Sequence, residues 1–293
     1  MSEMTRRVAF GVVAAPLALA IVVAGDAALA GLLAVASAIA AWEFFRLARA
    51  TGHEPLSDVG CALAGLTPLA VHARYLGLFA PRLSHAAVLL MALMALALWL
   101  RGASGQPLAA VAVTVLGVLY TGGLLSFAYA IRYHDYAAGG VRVGPIDVAA
   151  GAVLLGLPVL LTWATDIGAF QVGRAVGGRK LMPSVSPAKT VSGAIGGLVA
   201  SVLVAWLYAR FALRPAAQLA MTTAGIVTFG VLISVVAQVG DLFESLLKRE
   251  ANMKDSSSLL PGHGGVLDRL DSLFFVLPTA HLTLGWLLIP APR

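Results

Sequence analysis

A chain of 293 residues that is 59% hydrophobic and only 12% charged, with mean hydropathy +0.90, is too apolar for a soluble domain, where about 25% of residues carry charge. The formal net charge of +6 does not indicate a nucleic-acid binder, because the basic residues fall in short connections between apolar segments. A single cysteine, Cys61, excludes an intramolecular disulfide.

A helix needs about 20 mostly apolar residues to cross a bilayer. Nine segments approach this, at roughly 8–24, 27–45, 58–72, 84–100, 107–130, 148–173, 192–213, 216–247 and 270–290. The count falls to eight if 58–72, which is short and rich in Gly and Pro, does not cross. The opening 30 residues also resemble a signal peptide, with a basic start and an Ala-x-Ala-like end. They are read as the first span, because the second helix needs a partner on its other side. The segments are continuously apolar, without the alternation of a lipid-facing barrel. The expected fold is an all-α polytopic membrane protein, with about five N-terminal helices in residues 1–145 and a functional half in 146–293.

With nine spans and a cytoplasmic N-terminus, the C-terminus is periplasmic, and 13 of the 20 Lys and Arg side chains fall on the inside, as the positive-inside rule expects. The four lysines, Lys180, Lys189, Lys248 and Lys254, all lie in the two longest inside loops. Lysine is a compact charge that commonly binds phosphate, so these loops are where chemistry is expected.

The first loop follows the sixth segment. Asp166 comes after an unbroken apolar stretch, where an ionisable group costs about 2.5–3.5 kcal/mol and normally faces a cavity or a partner. Arg174, about two turns on, would be such a partner if Asp166 were merely a helix-end carboxylate. Gly173, Gly177, Gly178, Pro183 and Pro187 interrupt regular structure. Arg174, Arg179, Lys180 and Lys189 supply cations, and Ser186, Thr190 and Ser192 supply hydroxyls just before Gly193 opens the next helix. Cations, hydroxyls and a helix N-terminus are what a polyphosphate needs. No Walker-type glycine loop is present.

The second loop joins the last two segments. Asp241, Glu244, Ser245 and Lys248 are spaced i, i+3, i+4, i+7, one stripe of a helix. Asp268, Asp271 and Ser272 repeat the i, i+3, i+4 spacing at the start of the next. Pro261, Gly262, His263, Gly264 and Gly265 turn the chain between them. Magnesium takes carboxylate oxygens together with substrate phosphates and retains water, and a pair of such ions can bridge attacking and leaving oxygens. The competing reading is a salt-bridged loop, Asp268 with Arg269 or Lys248 with Glu244. Exposed pairs of that kind contribute only about 0–1 kcal/mol. His263 could contact a phosphate, cap the glycine turn or act as a base.

With these residues in view, the chain resembles the phosphatidate cytidylyltransferases, the CDP-diacylglycerol synthases. The family signature is present in Ser245, Leu247, Lys248, Arg249, Lys254, Asp255, Ser257, Leu260, Pro261, His263, Gly264, Gly265, Val266, Asp268, Arg269, Leu270 and Asp271. The first loop is similar to a second family pattern through Asp166, Gly168, Ala169, Gly173, Arg174, Ser186, Pro187, Lys189 and Thr190. It departs at Val191-Ser192, where relatives usually carry an aromatic residue and a glutamate. The N-terminal half agrees only in hydropathy and in Trp42-Glu43.

The resemblance implies transfer of the cytidylyl group of CTP to phosphatidic acid, giving CDP-diacylglycerol and pyrophosphate, with Mg2+ and room for a second metal ion. It implies metal binding by Asp241, Asp268 and Asp271. Asp166, Lys248, Arg249, Lys254, His263 and Arg269 would act at the reacting phosphates. Arg174, Ser186, Lys189, Thr190, Ser245, Gly264 and Gly265 would bind substrate. It further implies a homodimer; the Ala- and Arg-rich composition suggests a bacterial inner membrane, the loop assignment puts the site on the cytoplasmic side, and no nucleic-acid partner is expected. Two other readings keep the same residues in different roles. A CTP-dependent polyprenol or phytol kinase would release a phosphorylated alcohol, and a secondary transporter using Asp166 and Asp241 as ion ligands would release no pyrophosphate.

Overall fold

The structure, a computed structural model, describes residues 16–102, 104–136, 140–143, 146–260, 262 and 264–291. It is mostly helical. Among the described residues, seven helices are long and apolar enough to cross a membrane: α1 (Asp26–Ala50), α3 (Leu83–Arg101), α4 (Pro107–Arg132), α5 (Ala150–Val176), α6 (Val191–Ala217), α7 (Thr223–Glu250) and α8 (Leu267–Leu287). The expected segment at 58–72 is also helical, as α2 (Ser57–Tyr75). It falls short in hydropathy because Asp58, Gly60, Gly65, Thr67, Pro68 and His72 interrupt its apolar residues. Of the expected first span, residues 8–15 lie outside the described residues, and 16–24 are helical.

Two helices change pitch along their length. α4 passes through a π-helical turn at Val118–Gly123, and α6 through one at Ala209–Leu213. The connections hold three small antiparallel pairs that hydropathy does not announce. They are β1 (Gly140–Val143) with β2 (Ile146–Ala149), β3 (Lys180–Met182) with β4 (Ser186–Thr190), and β5 (Leu219–Ala220) with β6 (Ile289–Pro290).

By compactness the chain forms two units that interleave in sequence, a different grouping from a division at 145/146. The first takes residues 1–129 and 247–270, the second 130–246 and 271–293. In the first unit, α1 packs on α2 and on the π-helical turn of α4. Phe45 is fully buried, and its ring occupies the space that a Cβ on Gly60 or Gly117 would take. Polar side chains bond across helices or back along their own, as apolar surroundings demand. Ser37 Oγ donates to Thr121 O at 3.4 Å, and Thr114 Oγ1 accepts from Leu56 N at 2.8 Å.

In the second unit the most extensive packing is between α5 and α6. Small residues let the two backbones approach, as in membrane helix pairs generally. A Cβ on Gly168 would lie 2.6 Å from Ala200 Cβ, and one on Gly193 2.7 Å from Ala169 O. A Cβ on Gly197 would lie 2.7 Å from Thr165 O. Ser201 Oγ donates to Gly230 O on α7 at 2.9 Å, and Tyr208 OH donates to Val153 O at 2.6 Å.

Candidate active site

The close approach of α5 and α6 places the β3–β4 hairpin beside the end of α5. There the second unit holds a cavity of about 370 Å³, within the range of small-molecule sites. Asp166, Arg174, Lys189, Thr190, Gln238 and Asp241 line it, with the Phe170 ring on one side. Lys189 Nζ and Asp241 Oδ2 form an ion pair at 2.5 Å, with the two side chains 25% and 32% exposed. Asp241 Oδ1 accepts from Ser245 Oγ at 3.5 Å, one helical turn on.

Thr190 has a local role as well. Its Oγ1 accepts from Gly193 N at 3.1 Å, so it is the N-cap of α6. Its buried hydroxyl also lies 3.1 Å from Ser192 Oγ, which in turn donates to Gly177 O. Ser192 therefore fastens the start of α6 to Gly177 at the end of α5. Ser186 opens β4, half-buried and in register with Met182.

The first unit carries a second polar cluster, centred on Asp268. Lys248 Nζ donates to Asp268 Oδ1 at 2.7 Å, the side chains being 14% and 5% exposed. Asp268 Oδ2 accepts from Ser256 N at 3.0 Å, Ser256 Oγ at 2.9 Å and Gly265 N at 2.7 Å. Oδ2 is thus surrounded by donors, and Oδ1 faces the Lys248 ammonium.

Two glycines permit this arrangement. Gly264 has φ +79, a region open to glycine and strained for other residues, and a Cβ there would lie 2.7 Å from Asp268 Oδ2. A Cβ on Gly265 would overlap Ser256 Oγ and Glu43 Oε1.

Glu43, on α1, has no exposed surface and reaches the same connection. Its Oε1 accepts from Ser257 Oγ and from Val266 N at 3.1 Å. Its Oε2 accepts from Ser256 Oγ at 3.1 Å and from Leu267 N at 2.6 Å. The Val266 and Leu267 amides open α8, a position where the helix dipole favours an anion. Arg46, one turn further along α1, donates from Nη1 to Ser256 O at 3.3 Å.

The residues expected from sequence thus fall in two groups. Asp166, Arg174, Lys189, Thr190 and Asp241 share the cavity of the second unit, with Ser245 touching Asp241. Lys248, Gly264, Gly265 and Asp268 share the cluster of the first. Arg249, Lys254 and Arg269 are exposed. Asp271 belongs to the second unit, and its Oδ1 accepts from Ser272 N at 2.6 Å. His263 and Pro261 lie outside the described residues. The amides of Gly265, Val266 and Leu267, which a glycine-rich turn before a helix would ordinarily offer to phosphate, are all engaged by Asp268 and Glu43.

Sequence reasoning noted Glu43 only within the Trp42-Glu43 resemblance, with no role, and did not find Ser256, Phe170 or Gln238. For Glu43 a signal existed, an acid inside an apolar helix, but its partners lie more than 200 residues away along the chain.

Among the described residues, no group of three or more His, Cys, Asp or Glu side chains converges as a metal cage would. The cavity nonetheless offers two carboxylates, Asp166 and Asp241, together with the side-chain oxygens of Thr190 and Gln238. That donor set suits magnesium, which is commonly held by one or two carboxylates plus substrate phosphates and water.

Comparison with known proteins decides the kinship. The profile described as "Cytidylyltransferase family" matches residues 5–287. The chain belongs to the cytidylyltransferase family. Curated relatives in it are named phosphatidate cytidylyltransferase. The one from Bacillus subtilis (strain 168) is 43% identical over 126 residues, which are 43% of this chain and 45% of the relative. That from Haemophilus influenzae is 44% identical over 132 residues, 45% of this chain and 46% of the relative. That from Brucella suis is 50% identical over 113 residues, 39% of this chain and 40% of the relative. The chain therefore spans less than half the length of the curated relatives it matches. Among the described residues of this chain, the Lys189–Asp241 cavity and the Lys248–Asp268 cluster are two places where acidic and basic side chains are brought together at functional candidates.

Proposed function

We propose that this membrane cytidylyltransferase transfers the cytidylyl group of CTP to phosphatidic acid, giving CDP-diacylglycerol and pyrophosphate. The observation that carries the reading is the cavity of the second unit, in which Lys189 and Arg174 share one space with Asp166 and Asp241. Cations there suit a triphosphate, and the carboxylates suit the metal that accompanies it.

In the reaction, an oxygen of the lipid phosphate attacks the α-phosphorus of CTP. The bond from that phosphorus to the bridging oxygen breaks, and pyrophosphate leaves with the electron pair. The attacking phosphate is already anionic at neutral pH, so no residue is required to remove a proton. Lys189 and Arg174 neutralise oxygens whose charge increases along the path. Asp241, with Asp166 of the same cavity, would hold Mg2+, and Asp268 and Asp271 are the further metal candidates of this reading. When bound, magnesium supplies Lewis acidity and charge neutralisation at the phosphate oxygens. The exposed Arg249, Lys254 and Arg269 are placed by this reading at CTP phosphates or the lipid head group, and His263 at a phosphate. The same reading has the N-terminus and the site at the cytoplasmic face of the inner membrane, and two copies of the chain forming a homodimer.

The test is cytidylyl transfer in detergent–lipid micelles with labelled CTP, phosphatidic acid and magnesium. Magnesium-dependent CDP-diacylglycerol, lost with EDTA, is the expected result. A phosphorylated alcohol as the only labelled product would replace the reading with a CTP-dependent kinase, and well-folded protein that makes no product from any lipid phosphate would end it.

A further inference from the structure

We infer that Glu43 is a positioning residue for this reaction, holding the 256–267 connection in its working shape from the distant helix α1; the inference rests on the cytidylyltransferase reading above. Glu43 is wholly buried, so it has no access to substrate. Its carboxylate gathers Ser256, Ser257, Val266 and Leu267, residues from both ends of the connection. Through Ser256 it is one step from Asp268: the one Ser256 hydroxyl proton is shared between Glu43 Oε2 at 3.1 Å and Asp268 Oδ2 at 2.9 Å, and the Ser256 amide donates to Asp268 Oδ2. Asp268 in turn holds the Lys248 ammonium. The path from Glu43 to a side chain able to meet phosphate is therefore a continuous run of hydrogen bonds inside the first unit.

The geometry calls for a carboxylate in particular. Each oxygen faces one serine hydroxyl and one backbone amide: Oε1 faces Val266 N, and Oε2 faces Leu267 N. A hydroxyl can turn round to accept, but a backbone amide only donates. Whichever way a glutamine were placed, its NH2 would meet an N–H donor. Aspartate, one methylene shorter, would have to draw the connection towards α1 to keep the same bonds. The need is thus for two acceptors at this reach.

The test uses the full-length protein in detergent–lipid micelles, comparing wild type, Glu43→Gln and Ser37→Ala. Ser37 is also buried on α1, so it reports what a buried polar loss in that helix does by itself. Removing a partner that orients functional residues typically lowers activity about 10–100-fold. Glu43→Gln is expected to lower kcat by that amount while the KM for CTP stays within about twofold, because no substrate contact is removed. Amide hydrogen exchange over 256–267 is expected to quicken roughly tenfold in Glu43→Gln, with the 27–37 stretch of α1 unchanged. Ser37→Ala should move neither quantity. If Glu43→Gln does not fold, Ser257→Ala removes one of the four donors and should lower kcat about fivefold, the equivalent of one hydrogen bond.

Wild-type kcat in Glu43→Gln, with or without faster exchange, overturns the inference. So does a loss confined to KM, which would make Glu43 part of substrate binding. If the wild-type protein itself makes no CDP-lipid, it is the reaction that has been misread. Exchange over 256–267 then decides by itself whether Glu43 holds the connection, and unchanged exchange would sink the inference.

Discussion

Lys189 and Asp241 meet at 2.5 Å across a cavity to which the β3–β4 hairpin and α7 each contribute one of them. The pair is a quarter to a third exposed, so its worth to the fold is small, about 0–1 kcal/mol. Lys189→Met is therefore expected to melt close to wild type while cytidylyl transfer falls about 10²–10³-fold, the scale of losing a group that faces developing charge. Thermal unfolding and initial rates on the same preparation check this. A proportional loss of both would make the pair structural.

Lys248 and Asp268 are far less exposed, at 14% and 5%, and the balance changes. Removing one partner of a buried pair strands the other, at a cost of about 3–5 kcal/mol. Lys248→Met should destabilise by more than Lys189→Met. The double variant Lys248→Met/Asp268→Asn should recover part of that loss in stability and none of the activity. Chemical denaturation of the four proteins in a double-mutant cycle gives the coupling. Additive losses would contradict the pairing.

Asp268→Asn by itself separates two uses of one side chain. An asparagine oxygen can still accept from Ser256 and Gly265, but its NH2 then faces the Lys248 ammonium. A folded protein with a lowered melting temperature and transfer reduced at least about 10²-fold is expected. Full activity would remove Asp268 from the reacting phosphates.

Alanine at the two turn glycines should fail for different reasons. Gly264→Ala meets a left-handed backbone at φ +79, a penalty of about 1–2 kcal/mol, and also crowds Asp268 Oδ2, 2.7 Å from the added carbon. Gly265→Ala meets Ser256 and Glu43, an overpacking cost of about 1–3 kcal/mol. Gly31→Ala, with nothing within 4 Å of the added carbon, is the control and should be neutral or slightly stabilising. Melting temperatures of the three variants decide the order.

On the α5–α6 seam, Gly197→Leu should separate the helices, because even a Cβ there lies 2.7 Å from Thr165 O. The hairpin that carries Lys189 would move with α6, so CTP affinity should fall together with stability. Gly177→Ala, at the end of α5, meets no atom within 4 Å and tests φ +64 without the packing.

Much of this was legible before any coordinates. Runs such as residues 148–173 must be helical in an apolar solvent, because every backbone group has to be satisfied within the segment. The same stretch carries Asp166 to its end, where the cavity lies. The β3–β4 pair was not legible: three residues against five leave no periodicity to read, and Pro187 argues against a strand. Thr190 was read as a phosphate donor, although a threonine just before an apolar run is also the signature of an N-cap, which it proves to be. The resemblance assigns Gly264 and Gly265 to substrate, and nothing local reveals that Glu43 and Asp268 take the neighbouring amides. Local pattern reports what a residue offers, and only the fold reports who has already accepted it.

The separation of Glu43 from its donors along the chain has a consequence in time. Ser256 follows Glu43 by 213 residues and Leu267 by 224. At about 5–20 residues per second, ribosomes reach Leu267 roughly 10–45 s after Glu43. Throughout that interval α1 has been delivered with an acid that none of its final partners yet exists to receive. The first unit therefore cannot complete this contact until nearly the whole polypeptide has been made. A chain released before Ser256 lacks every one of the donors that satisfy this acid.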